Sequence, residues 1–318
     1  MPAGNNLDSL CLTLNKELPV AGTRSGFHGV YPMIYAHFDA DGGIATAPVE
    51  AAVKAMIKHG VHGLAVLGLA SEVNKLSRAA RIQLLECVSA TNAGQVPLSV
   101  TVAENSVAGQ VEFARIARDA GAKWLVLQPP PVSHIEEGQL LSFFSAVIDK
   151  VDLPVGIQNA PQYLGIGLSN AGLRELARRH ANFLVAKTEG SSVAIARLVE
   201  ETEGLFDVFN GRGGYELPDI LRAGAAGVIP GGESFDWFVR VYDAFRRGDE
   251  AEAEAAYRQV LPLIVFLEES IDHLVTYGKQ VLGRRLGIDP GSAPLPSTVC
   301  TPFGLAAANR FADALSSL

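Results

Sequence analysis

Residues 98–127 read LSVTVAENSVAGQVEFARIARDAGAKWLVL and contain two kinds of pattern in succession. Leu98–Val102 and Trp124–Leu127 are short apolar runs typical of buried strands, whereas Ser106–Ala120 has apolar residues at the three- and four-residue steps of a helix. Gly121 then follows, the residue type that commonly ends a helix. This stretch predicts a strand–helix–strand unit with parallel strands, because the intervening helix carries the chain back to the edge of the sheet where it began.

The same alternation extends in both directions along the chain. Eight apolar runs have the texture of strands covered by helices: Gly29–Ile34, Gly63–Leu67, Leu98–Val102, Trp124–Leu127, Val155–Ile157, Phe183–Ala186, Asp207–Phe209 and Gly227–Ile229. Eight strand–helix units over about 220 residues predict a (β/α)8 TIM barrel of the α/β class. A doubly wound open sheet is the alternative, but it usually has a glycine-rich dinucleotide motif after its first strand, and Tyr35–Asp41 has no such pattern.

The chain divides into three predicted segments. Residues 1–25 form an N-terminal arm, residues 26–232 the barrel core, and residues 233–318 the last barrel helix and a C-terminal helical region. Helical spacing in the last segment predicts the helices Phe238–Arg246, Glu250–Val265, Glu268–Leu282 and Phe303–Leu315.

Composition excludes several classes of protein. Of the 318 residues 48% are apolar, which rules out a disordered chain or a small disulfide scaffold, and the net charge of −8 argues against a nucleic-acid binder. The three cysteines, Cys11, Cys87 and Cys300, are far apart and have no metal-ligand spacing. Neither a signal peptide nor a membrane-spanning apolar run is present. We therefore expect a cytoplasmic protein without a metal, a membrane or a nucleic-acid partner.

Lys187 is the strongest candidate for a catalytic residue. It directly follows the apolar run Phe183–Ala186, at the strand end where barrel enzymes place their catalytic groups. Burial favours the neutral form of an amine, which attacks ketones. Glu189 lies two residues on, so both side chains face the lumen while Thr188 faces the helices. The simpler interpretations are a lysine that extends to solvent at the barrel mouth, and a structural salt bridge.

Other strand ends supply candidates for substrate binding. After the second strand, Gly68 permits an unusual backbone, and the turn through Ala70 can direct N–H groups at a carboxylate, with Ser71 as a hydroxyl donor. An ordinary loop is the alternative there. The remaining candidates follow other strands: Gln158, Tyr35, Asn210, Gly211, Arg212 and Gly231. Tyr35 could instead be an aromatic side chain packed at the barrel mouth, and Arg212 could face solvent.

With these motifs in place, the chain resembles the dihydrodipicolinate synthase/N-acetylneuraminate lyase family from about Gly26 to Ile288. The matching features are a glycine-rich loop Gly68–Glu72, the turn Gln158-Asn-Ala-Pro161 and Lys187 at the end of the sixth strand. The resemblance implies a (β/α)8 barrel with a C-terminal helical region, a covalent imine through Lys187 in place of any cofactor, a 2-keto acid substrate and a homo-oligomer, either a tetramer or a dimer.

Departures from the family pattern narrow the range of activities that we expect. The family usually has a proton-shuttling tyrosine where this chain has Gln158, and dihydrodipicolinate-forming members have an arginine where it has Tyr163. An amide cannot donate and recover a proton as a phenol can. Gln158, the Ser71-Glu72 pair and the Lys187-Thr-Glu189 motif are similar to those of the 2-keto-3-deoxy-L-arabonate dehydratases. Residues 210–214 read NGRGG, whereas that branch has a bulkier turn containing tryptophan.

The resemblance implies dehydration of a 2-keto-3-deoxy sugar acid. In this hypothesis Lys187 forms the imine, Glu189 acts as the base at C3 and then as the acid for the leaving hydroxyl, and Gln158 orients the substrate. A pyruvate-dependent aldolase is the first alternative, since the same imine supports carbon–carbon cleavage. A keto-acid-binding barrel without catalytic activity is the second.

Overall fold

The computed structural model describes residues 23–293, 296–315 and 318, so most of the predicted N-terminal arm, residues 1–25, lies outside the described part. Within it the strands are β1 (Gly29–Val30), β2 (Leu64–Val66), β3 (Leu98–Val102), β4 (Trp124–Leu127), β5 (Val155–Asn159), β6 (Phe183–Thr188), β7 (Asp207–Asn210) and β8 (Gly227–Val228). The helices are α1 (Thr46–Lys58), α2 (Arg78–Asn92), α3 (Val107–Asp119), α4 (Glu137–Ile148), α5 (Pro161–Leu164), α6 (Asn170–Arg179), α7 (Ser192–Glu201), α8 (Leu217–Arg222), α9 (Phe235–Arg246), α10 (Glu250–Leu267), α11 (Ile271–Leu286) and α12 (Pro302–Ala314).

The eight strands form one parallel barrel. Their order is β1-β8-β7-β6-β5-β4-β3-β2, and a parallel bridge from Met33 to Ala65 joins the segment after β1 to β2 and closes the sheet. Every run predicted from the sequence contains a strand, which confirms the (β/α)8 barrel. The boundaries proposed for the three chain segments stay a prediction.

Strand ends differ from the prediction in an informative way. β1 stops at Val30, because Pro32 has no N–H to give to the ladder. β5 and β6 instead continue beyond their apolar residues, with Gln158 in register with Lys187. Polar residues can stay in a barrel strand when their side chains face a lumen that holds other polar groups. Gln158 and Lys187 are therefore neighbours on the inner face of the sheet.

Aromatic side chains fill the lower part of the barrel. Tyr31, Trp124 and Phe209 contact one another with ring centroids 5.3–5.7 Å apart, although they come from the segment just after β1, from β4 and from β7. Gly63 makes room for this cluster, since a side-chain carbon there would lie 2.1 Å from the Tyr31 ring. The lumen is thus a packed core, and only the mouth at the carboxyl ends of the strands is open for a ligand.

The C-terminal helices cover one side of this mouth. Lys279 on α11 forms a buried ion pair with Glu72, which fastens the helix to the loop after β2. The sequence predicted a helix beginning at Glu268, but α11 begins at Ile271 because the Ser270 hydroxyl accepts the N–H of His273 as an N-cap. Glu268 consequently lies in the turn after α10, at the barrel mouth.

Among the described residues, no helix is long and apolar enough to cross a membrane. The same part of the chain holds no cluster of three or more His, Cys, Asp or Glu side chains arranged to bind a metal ion.

Candidate active site

A cleft of about 380 Å³ lies at the barrel mouth. Six of the residues predicted from the sequence line it: Ala70, Lys187, Glu189, Gly211, Arg212 and Gly231. Five others surround it without lining it: Tyr35, Gly68, Ser71, Gln158 and Asn210. The structure therefore brings the predicted residues together around one cleft and separates those that face it from those behind them. Their functional roles stay predictions.

Lys187 and Glu189 form the centre of the cleft. The Lys187 Nζ donates to Glu189 Oε1 at 2.5 Å, and the two residues are only 5% and 7% exposed. Their i, i+2 spacing at the end of β6 places both side chains on the inner face, as predicted. An amine beside a carboxylate in a buried cleft can exchange protons with it, which imine chemistry requires.

The loop after β7 holds Glu189 from the other side. The backbone N–H of Arg212 donates to Glu189 Oε2, so each carboxylate oxygen has a donor. Gly211 permits this approach, because a side-chain carbon there would lie 2.3–2.6 Å from the Glu189 carboxylate. A larger residue in place of Gly211 would displace the Glu189 carboxylate, so the loop needs glycine at this position.

Two glutamines stand behind the lysine. The Gln128 amide N–H donates to Gln158 Oε1 at 2.9 Å, which fixes the orientation of the buried Gln158 side chain. Gln158 Nε2 is buried and has no hydrogen-bond partner in the part of the chain described here. A buried donor without a partner is costly, so this N–H₂ group is available to a bound substrate.

The turn after β2 directs free N–H groups at the cleft. Leu67 has a left-handed backbone, with φ at +65°, and the Ser71 hydroxyl accepts its N–H at 3.0 Å. Within the described residues, the N–H groups of Leu69 and Ala70 have no partner in the protein. Backbone N–H groups arranged in this way form a concave site for a carboxylate.

The Ser71 hydroxyl contacts the backbone of the protein, and its predicted role in substrate binding stays a prediction. Its hydroxyl donates to the Ile34 carbonyl at 2.5 Å while accepting from Leu67, and its side chain is fully buried. The hydroxyl is thus engaged with the backbone and not directed at a ligand. Through these two hydrogen bonds Ser71 holds the strained turn at Leu67.

Tyr35 and Glu233 form a buried pair next to the cleft. The Tyr35 hydroxyl donates to Glu233 Oε2 at 2.6 Å. Burial raises the pKa of both groups, and for Tyr35 the neighbouring Glu233 adds to the effect. Gly231 separates this pair from the cleft, because a side-chain carbon there would lie 2.3 Å from Glu233 Oε2. Tyr35 therefore packs at the barrel mouth, which was given from the sequence as the alternative to a role in substrate binding.

The side chains of Asn210 and Arg212 both bind to other groups of the protein. The Asn210 amide donates to the Gly190 carbonyl at 3.0 Å. The Arg212 guanidinium pairs with Glu216 at 3.1 Å and lies over the Tyr215 ring. Arg212 therefore presents its backbone N–H to Glu189 and its charge to Glu216.

Two residues of the cleft with titratable side chains, Glu268 and Tyr163, were not among the predicted site residues. Burial and the charges of Glu189 and Glu268 raise the pKa of Tyr163 to about 12, so its phenol is a hydrogen-bond donor at neutral pH. Glu268 comes from the turn after α10, and burial together with Glu233 and Glu189 raises its pKa to about 8. The other site residues were predicted because barrel enzymes place their functional groups directly after the strands. Neither Glu268 nor Tyr163 directly follows a barrel strand.

The fold and the site define a (β/α)8 barrel with a lysine–glutamate pair at the mouth. Beside this pair is a turn whose Leu69 and Ala70 N–H groups have no partner among the described residues. The model of the dihydrodipicolinate synthetase family matches residues 26–290, and the chain belongs to that family. The resemblance inferred from the sequence motifs is thereby confirmed at the level of the family.

Relatives with different activities are similar to this chain. The 4-hydroxy-tetrahydrodipicolinate synthase of Methanoculleus marisnigri is 29% identical over 75% of this chain and 83% of its own length. The putative 2-dehydro-3-deoxy-D-gluconate aldolase YagE of Escherichia coli is 30% identical over 85% and 92%. A crystal structure of a putative dihydrodipicolinate synthetase from Pseudomonas aeruginosa has a TM-score of 0.85 at 25% identity, covering 91% of this chain and 99% of that one.

Proposed function

We propose that this protein is a Schiff-base-forming lyase that removes water from a 2-keto-3-deoxy sugar acid. The observation that carries the proposal is the buried contact of Lys187 with Glu189 at the mouth of a family barrel. In this mechanism the substrate carboxylate binds the N–H groups of Leu69 and Ala70. The Lys187 amine adds to C2 and releases water to form an imine.

Glu189 is the base of the proposed mechanism. The imine withdraws electrons from C3, and the Glu189 carboxylate accepts a C3 proton to give an enamine. Gln158 Nε2, which has no partner among the described residues, donates to a substrate oxygen. Departure of the C4 hydroxyl then gives a conjugated imine, and hydrolysis releases the product. The covalent imine supplies the electron sink, so the proposed mechanism includes no cofactor or metal.

The charges of the cleft favour a sugar acid over a dicarboxylic substrate. Glu189, Glu233 and Glu268 are close enough for their charges to interact, and Arg212 is already paired with Glu216. A second carboxylate on the substrate would lie near the Glu189 carboxylate with Arg212 already paired, whereas hydroxyl groups find acceptors and the Tyr163 donor. This charge pattern also supports a reaction other than dihydrodipicolinate synthesis.

Covalent trapping tests the imine, and product analysis tests the reaction. Pyruvate with borohydride should add the mass of one reduced pyruvate to the wild type, measured on the intact protein. No added mass would favour the binding barrel without catalytic activity. Incubation with 2-keto-3-deoxy-L-arabonate should give a five-carbon semialdehyde.

Retro-aldol cleavage is the second candidate function. The relative YagE, named as a putative aldolase and 30% identical to this chain, favours it. Cleavage needs a base for the C4 hydroxyl proton, and Gln158 stands where the family has its tyrosine. Release of pyruvate from the sugar acid would assign the protein to this activity.

We also propose that the protein is a homo-oligomer, a tetramer or a dimer, as the family resemblance implies. Light scattering at micromolar concentration should give a mass that is a multiple of the 33.6 kDa chain. A stable species of 33.6 kDa would contradict this.

A further inference from the structure

Glu268 has an unusual environment for a carboxylate. It lines the cleft with Lys187 and Glu189, and its Oε1 atom is buried without a hydrogen-bond partner among the described residues. Among the buried side-chain atoms of the described residues that have no hydrogen-bond partner, Glu268 Oε1 is the one carboxylate oxygen. Leaving a charged oxygen in this state is costly, so the group either holds a proton or serves a ligand.

The surroundings of Glu268 favour the protonated form. The titratable and charged groups that act on it lie in or after several different strands: Tyr35, Tyr163, Lys187, Glu189, Arg212 and Glu233. Burial is the largest effect and the two carboxylates come next, whereas Arg212 and Lys187 oppose them only in part. The resulting pKa of about 8 leaves the carboxyl group mostly protonated at neutral pH.

The loop after β7 is shaped around this carboxyl group as well. A side-chain carbon on Gly213 would lie 2.0 Å from Glu268 Oε1, and Gly213 has a left-handed backbone with φ at +54°. Gly211 does the same for Glu189, two residues earlier. One short loop thus allows a close backbone approach to both carboxylates and places them at the same cleft.

We infer that Glu268 is the general acid that protonates the C4 hydroxyl as it leaves, a task that the sequence had assigned to Glu189. The inference rests on the proposed dehydration. It divides the proton transfers between two groups: Glu189, which has the donors Lys187 and Arg212, takes the C3 proton, and Glu268 gives the proton at C4.

The proton transfers balance. Glu189 accepts the C3 proton, and the C–H electron pair becomes the C2–C3 double bond of the enamine. That pair then forms the C3–C4 double bond as the C4–O bond breaks, while Glu268 protonates the oxygen and water leaves. Transfer of a C5 proton to Glu268 and of the Glu189 proton to C3 restores both residues. The resulting enol becomes the aldehyde, and hydrolysis of the imine frees Lys187.

Glu268→Gln tests this assignment, because the amide keeps the size of the side chain and cannot supply the acid proton. Exchange of the pyruvate methyl protons in D₂O, followed by NMR, needs only the imine and the base at C3. We expect this exchange to stay within a few-fold of the wild type, whereas dehydration of 2-keto-3-deoxy-L-arabonate should fall about 10²–10⁴-fold. Glu269→Gln, at the exposed neighbouring position, is the matched control and should leave both rates unchanged.

The pH dependence gives a second readout. The wild-type dehydration rate should fall as the pH rises above about 8, because the acid must be protonated. Glu268→Gln should lose that alkaline limb, and Glu268→Asp should recover part of the rate. Dehydration at the wild-type rate in Glu268→Gln would overturn the assignment while leaving the proposed function intact. Loss of both exchange and dehydration would also overturn it. Absence of dehydration in the wild type would instead contradict the proposed function itself.

Discussion

The two carboxylates of the cleft come from different regions of the molecule and are held in opposite ways. Glu189 follows the barrel strand β6 and has a donor on each oxygen, from Lys187 and from the Arg212 backbone. Glu268 comes from the C-terminal helical region and has a buried oxygen without a partner in the described part of the chain. In the proposed mechanism, this difference suits the first carboxylate to the role of base and the second to the role of acid.

This difference follows from local structure. A strand end fixes a side chain through the ladder, so the barrel can give Glu189 defined partners at short range. The turn between α10 and α11 only brings Glu268 against the mouth, where burial and like charges act on it. Each variant below removes one part of this arrangement.

The largest effect is expected from Lys187→Ala. Turnover and borohydride trapping should both be lost, because no other amine reaches the substrate carbonyl in the proposed mechanism. Glu189 keeps the Arg212 N–H as a donor, so the variant should still unfold in one cooperative thermal transition. Lys54→Ala changes an exposed lysine and is the matched control for trapping. Covalent labelling of Lys187→Ala would show that the nucleophile is a different residue.

Glu189→Gln should distinguish the proposed role of Glu189 from that of Glu268. The imine still forms, so trapping persists, but exchange of the pyruvate methyl protons and dehydration should both fall about 10²–10⁴-fold. Glu268→Gln should lower dehydration alone. NMR measurement of exchange in both variants makes the distinction, and unchanged exchange in Glu189→Gln would remove this residue from the role of base.

A smaller effect is expected from Gly211→Ala. The added carbon would overlap the Glu189 carboxylate and move it, and a displacement of about 1 Å costs roughly 10²-fold in rate. Gly138→Ala, which meets open space on α4, is the matched control. Full turnover in Gly211→Ala would mean that the position of Glu189 is not critical.

The pH dependence of protein stability should reveal the raised pKa of Glu268 independently of activity. Its folded-state pKa of about 8 lies above the ordinary value of 4.5, so the folded protein binds more protons between those values and loses stability as the pH rises through them. Glu268→Gln lacks this loss. Its free energy of unfolding should exceed that of the wild type by a few kcal/mol above pH 8 and approach it near pH 4. Denaturant unfolding at several pH values measures this, and parallel curves would contradict the raised pKa.

The sequence predicted the barrel and six of the residues that line the cleft for a clear physical reason. Apolar runs mark strands, and the residues directly after them meet at one edge, so Lys187, Glu189 and the turn through Ala70 could be located from spacing alone. The predicted role of Ser71 was incomplete, because spacing does not show that its hydroxyl already holds Ile34 and Leu67.

Glu268 could not be found in the same way. It lies in a charged stretch of the C-terminal region, where a glutamate is most simply a solvated side chain, and its helical pattern led to a predicted helix start at that residue. Only the N-cap at Ser270 and the fold of α10 and α11 over the mouth bring it to the cleft. A signal was present in Gly213, since glycines at a strand end indicate a close approach of some other group.

The most direct test of the account is the fate of the carbon skeleton. Wild-type protein incubated with 2-keto-3-deoxy-L-arabonate and followed by NMR should convert it to a single five-carbon keto acid with an aldehyde. Formation of pyruvate and glycolaldehyde in equal amounts would contradict dehydration and show that the barrel cleaves the C3–C4 bond.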